Sequence, residues 1–116
     1  MAVQAIAVVL ILTVIQLAQG IALRLELVQS DFLVLGHIGL GVLTTLLIIA
    51  VLNNIRTQNI KVKSDLSFLL VLILLQGLAG IFIIAELEIA SLIHLVMSFF
   101  VVASAAASLI IAASGS

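Results

Sequence analysis

Apolar positions run almost unbroken through four blocks, residues 1–23, 32–52, 66–85 and 89–113, and the charged residues fall between the blocks rather than inside them. Each block holds at least twenty residues free of Asp, Glu, Lys and Arg. At about 1.5 Å per residue, that length crosses a hydrocarbon core of about 30 Å. The pattern predicts four transmembrane helices, at about 2–23, 32–53, 65–85 and 89–113. Together they form a single domain over residues 1–116.

Composition agrees with this reading. Of 116 residues, 66% are hydrophobic and 8% charged, a balance far from that of a water-soluble domain. An all-α integral membrane protein is expected, with the lipid bilayer as its first partner and no nucleic-acid partner. The first block has small residues at Ala18 and Gly20, as a cleaved leader would. It lacks a basic start and is longer than an apolar leader core of roughly 7–15 residues, so it is read as helix 1.

Short connections make successive helices antiparallel neighbours in an up-down bundle. Between helices 2 and 3, Arg56, Lys61 and Lys63 lie in a stretch, residues 53–64, without an acid. The other side collects Glu26, Asp31, Glu86 and Glu88 against Arg24. The excess of basic residues predicts that the 53–64 connection and both termini are cytoplasmic, in a multi-pass protein of the cell membrane.

Within this frame two histidines stand out. His37 lies five residues past Phe32 and His94 five past Ile89, which puts both roughly 7–8 Å inside the outer boundary, at one level. An ionisable side chain at that depth is costly, and by default it is a candidate functional residue. A lone intramembrane histidine is most often an interhelical hydrogen bonder. Two at matched depth favour ligation.

The chain also looks internally duplicated. Gln16, Gly20 and Glu26 recur as Gln76, Gly80 and Glu86 at an offset of 60, and His37 recurs as His94 at an offset of 57. Two repeated helical hairpins are predicted. Repeats of like topology are related by an axis along the membrane normal, which would let helices 2 and 4 face each other with one histidine apiece.

Small residues accompany the histidines. Gly41 and Ser98 each follow their histidine by four, one turn along on the same face. Gly20 and Gly80 come to about the same depth on helices 1 and 3. Room beside two imidazoles suits a flat macrocycle better than a bare ion, although small residues in membrane helices also serve packing alone. Zinc is the weaker alternative, because it takes three or four ligands and the chain has no cysteine and no carboxylate well inside a helix. Two axial imidazoles suffice for haem iron. Without Cys-x-x-Cys-His the haem would be non-covalent, haem b or a relative.

These residues resemble the heme A synthase family. Gln16-Leu-Ala-Gln-Gly20, continuing to Arg24, is similar to that family's Gln-x-x-x-Gly-x-x-x-Arg. The stretch Gln76-Gly-Leu-Ala-Gly80, followed by a short outer connection and Ile93-His94-Leu95, is the closer match. The resemblance implies a haem between helices 2 and 4 with His37 and His94 as axial ligands, in a chain equal to one half of the usual protein. It also implies either a homodimer or a stand-alone cytochrome with a redox partner. Two departures bear on activity: Val34 stands where the family's oxidising half has a glutamate, and the family's outer cysteine pair is absent. Enzymatic oxidation of a haem methyl group is therefore left open.

Arg24 continues the Gln16, Gly20 stripe at spacing four, where it would meet a haem propionate or simply snorkel at the boundary. Glu26, Asp31, Glu86 and Glu88 are read as solvated helix ends, and Gln16 and Gln76 as bridges between helices. Two other classes fit the composition. One is a cofactor-free structural or assembly subunit of a membrane complex. The other is a small four-helix transporter, ranked last because no acid lies inside a helix.

Overall fold

A computed structural model of the chain describes residues 2–25, 31–54, 60–84 and 88–114. It contains α1 (Ala2–Arg24), α2 (Asp31–Asn54), α3 (Ile60–Ile84) and α4 (Glu88–Ser114), and each is long and apolar enough to cross a membrane. Glu26, Arg56 and Glu86, which mark helix ends or topology in the sequence, lie outside the described residues. In hydrocarbon no water pairs a free N–H or C=O, so a spanning segment must close its backbone bonds internally. With no proline in the chain, every helical position can donate.

One boundary differs from the sequence expectation. Helix α3 starts at Ile60, five residues before position 65, and takes in Lys61, Lys63 and Asp65. Charge ends an apolar block without ending a helix, because the backbone ladder is indifferent to it. Lys61 and Lys63 are exposed, while Val62 and Leu66 on the neighbouring face are buried.

Helix α1 packs on α2 and α4, and α3 packs on the same two. Among the described residues no backbone approach joins α1 to α3 or α2 to α4, so α2 and α4 are diagonal partners. The principal extents are 44 × 21 × 19 Å, a length close to the ~40–45 Å of a bilayer with its headgroup layers. Ile11, Leu46, Leu74 and Ile110 each expose more than half of their surface. A lipid solvent removes the penalty such side chains would carry in water.

Packing is uneven along the bundle. Ile6 and Val9 of α1, Ile48 and Val51 of α2, Leu66, Leu69 and Ile73 of α3, and Val101, Ala105 and Ala112 of α4 form one buried cluster. All of these lie away from the histidines. At the histidine level the buried apolar side chains are Ala79 and Ala90. The six described glycines, Gly20, Gly36, Gly39, Gly41, Gly77 and Gly80, are also in that half. The buried apolar cluster thus lies in one half of the bundle and the described glycines in the other.

Candidate functional site

His37 and His94 meet. Their ring centroids are 6.0 Å apart with planes inclined at 72°. Since α2 and α4 are diagonal and their backbones do not touch, the two imidazoles reach each other across the centre of the bundle. Both are half-buried.

On the α3–α4 side the imidazole is held firmly. His94 Nδ1 lies 2.9 Å from the backbone oxygen of Gln76. A carbonyl only accepts, so Nδ1 carries the hydrogen, and in the ring's singly protonated form the lone pair is at Nε2. Metal-binding histidines commonly donate their second nitrogen to a carbonyl in this way, which fixes tautomer and ring direction. The Gln76 amide donates to Ser98 Oγ, and Ser98 Oγ donates to the His94 carbonyl at 2.8 Å. Three residues thus close a loop of hydrogen bonds between the two helices.

Gly80 makes room for that ring. A Cβ built there would lie 3.5 Å from His94 Cε1 and 3.6 Å from Nδ1, in ordinary contact. One methyl would fit. Any side chain extending beyond it would run into the imidazole. Gly20 stands in the same relation to His37, with a Cβ-to-Cε1 distance of 3.6 Å. The sequence put these glycines at the depth of the histidines, and the structure sets them against the imidazoles.

The α1–α2 side is looser. The Gln16 amide donates to the His37 backbone carbonyl at a long 3.4 Å, and Gly41 stands where Ser98 stands in the other half. A Cβ at Gly41 would lie 3.0 Å from Gln16 Nε2. His37 Nδ1 is buried and has no hydrogen-bond partner. Buried polar atoms are nearly always paired, so an orphan of this kind calls for a ligand or another explanation.

Arg24 Nη1 donates to Ser91 Oγ at 2.7 Å, tying the C-terminal end of α1 to the N-terminal end of α4 at the exposed rim above the histidines. Asp31 is exposed at the start of α2. Among the described residues no group of three or more His, Cys, Asp or Glu side chains converges. The donor set at the centre is two imidazoles.

Sequence reasoning placed His37, His94, Gly20 and Gly80 at one level with Gly41 and Ser98 one turn along, and the structure brings Gly20 to His37, Gly80 to His94 and Ser98 into the His94 hydrogen bonds. It missed Ser91 as the partner of Arg24 and Ser98 as a hydrogen-bonding residue rather than a small one. The second had a usable signal, because a helical serine commonly bonds the carbonyl four residues back. Gln19, whose Oε1 is buried without a partner, gave no signal.

No family model matches the chain, and neither the curated proteins nor the solved structures include a match to it.

Proposed function

We propose that this chain is a multi-pass membrane protein that binds one non-covalent haem of b type between His37 and His94. Its role is electron transfer or haem handling, and it resembles one half of a heme A synthase. The observation that carries this reading is the approach of the two rings across the bundle. Two imidazoles on opposite sides of one metal, with bonds of about 2 Å each, have ring centroids about 6 Å apart. The 6.0 Å edge-to-face approach found here supports the reading by its length.

Three further features support it. His94 is held in the tautomer that frees Nε2, and His37 has a buried nitrogen without a partner. The six described glycines lie in the histidine half of the bundle, and two of them face the imidazoles. Arg24 is at the rim of the same end, with donors beyond the one given to Ser91, and can pair with a propionate there. His37 and His94 would hold the haem, which would supply a one-electron couple. The chain's own contribution is to fix the ligands, and its apolar walls, with Leu33 and Leu95 next to the level of the rings, keep water away.

The contacts of Gly20 with His37 and of Gly80 with His94 also support an antiparallel bundle of two repeated hairpins. Exposed Lys61 and Lys63 at the start of α3 support a cytoplasmic placement of that end, with both termini. Partners of this reading are the bilayer, a haem and either a second copy or a redox protein.

An absorption spectrum tests it. Protein purified from haem-replete cells, or given haemin in detergent, should show a Soret band and a low-spin spectrum at one haem per chain. Replacing either histidine by alanine should abolish the low-spin form. A colourless protein that also fails to take up haemin would instead be a cofactor-free subunit of a larger membrane complex.

A further inference from the structure

The two halves of the site are built on the same plan and differ in how firmly they hold their imidazole. Aligning α2 with α4 at the offset of 57 that relates His37 to His94, Gly36 matches Ile93, Gly39 matches Val96 and Gly41 matches Ser98. Gly36 and Gly39, like Ile93 and Val96, are exposed, so the difference that touches the site is Gly41, which has no hydroxyl to offer Gln16 as Ser98 offers one to Gln76. Around Gly36 and Gly39 the space for a Cβ is open, with nothing within 4 Å.

Hydrogen bonding follows the same asymmetry. The His94 ring itself is bonded, through Nδ1, to the Gln76 carbonyl, and Ser98 braces that contact from below. Among the described residues the Gln16 amide reaches the His37 backbone carbonyl, at 3.4 Å, and does nothing to orient the ring. Its Nδ1 is left unpaired. A ring with a fixed N–H donor loses its bond and its orientation together if it turns. A ring without one turns at little cost.

We propose that His94 is the fixed ligand of this site and His37 the displaceable one, so that a small neutral diatomic molecule is admitted on the His37 side. The inference rests on the haem reading above. With the haem bound, His94 would go on holding it while His37 would yield its place to the incoming molecule, one lone pair replacing another. No proton or electron moves. The His37 ring has no Nδ1 bond to give up when it moves, whereas the Gln76 bond opposes the same movement of His94.

The test uses the full chain, with and without haem. Without haem, nitrogen NMR of the labelled histidines should show His94 as a single tautomer protonated at Nδ1, and His37 as an averaging ring. With haem, the reduced protein should take up carbon monoxide. His37→Ala should keep its haem in a high-spin form and take up carbon monoxide faster, and His94→Ala should lose the haem.

Gly41→Ser supplies the hydroxyl that Ser98 supplies in the other half. Its Cβ meets only the flexible end of Gln16. It should slow carbon monoxide uptake by about fivefold, the effect of roughly one added hydrogen bond, and Ser98→Gly should not. A protein with a normal Soret band whose two alanine variants behave alike, or whose carbon monoxide uptake is indifferent to Gly41→Ser, overturns the unequal roles and leaves the haem reading standing. A protein without any Soret band overturns both.

Discussion

His94 and Gln76 hold one another across α3 and α4: the imidazole Nδ1–H donates to the Gln76 carbonyl at 2.9 Å, while the Gln76 amide, through Ser98, braces the turn that carries His94. This single relationship sets the tautomer of the ring, its direction and the approach of two helices.

Ser98→Ala should therefore weaken the fold modestly and the ring's position more. Polar contacts between membrane helices average about 0.6 kcal/mol, so a loss of about 1 kcal/mol in stability is expected. Unfolding titrations in mixed micelles measure it. The His94 tautomer, read by nitrogen NMR, should become a mixture as the Gln76 contact loosens.

The glycines facing the rings predict a graded steric series. Gly80→Ala adds only a Cβ at 3.5 Å from His94 Cε1, an ordinary contact, and should leave the site intact. Gly80→Leu drives further atoms into the imidazole and should displace it, with loss of haem from an otherwise helical protein. Haemin titration and circular dichroism, taken together, separate that outcome from unfolding. Full haem content in the leucine variants of both Gly80 and Gly20 would remove these glycines from the site.

The packed end predicts a contrast between two leucines. Leu69 is fully buried in the apolar cluster, and Leu46 exposes 58% of its surface. Leu69→Ala should cost about 2 kcal/mol, at the lower end for such truncations because hydrocarbon rather than water is the reference surrounding. Leu46→Ala, on the lipid face, should change stability by no more than about 0.5 kcal/mol. Paired unfolding curves in one detergent decide between them.

Orientation is tested by labelling. With Gln58→Cys in the otherwise cysteine-free chain, an impermeant maleimide should fail to react from outside intact cells and react after permeabilisation. Efficient labelling of intact cells would reverse the topology and place the histidine end on the cytoplasmic side.

The sequence was sufficient for the helices and for the level of the two histidines. A bilayer allows a spanning chain few conformations, so apolar length alone implies a helix, and residues counted from a charged boundary give a depth. His37 and His94 could be placed side by side along the membrane normal on that basis. The start of α3 at Ile60 was not legible, because the charges of Lys61 and Lys63 end the apolar pattern while the helix continues.

Sideways, the sequence had much less to say. Helices that are apolar on every side bear no mark of which face meets protein and which meets lipid. Only the packed structure decided that α2 and α4 are diagonal, that their imidazoles approach to 6.0 Å, and that the buried apolar cluster forms at the opposite end. The inequality of the two histidines was hidden for a related reason. The acceptor that fixes His94 is a backbone carbonyl, which every residue possesses, and only the distance between two helices determines whether an imidazole can reach it.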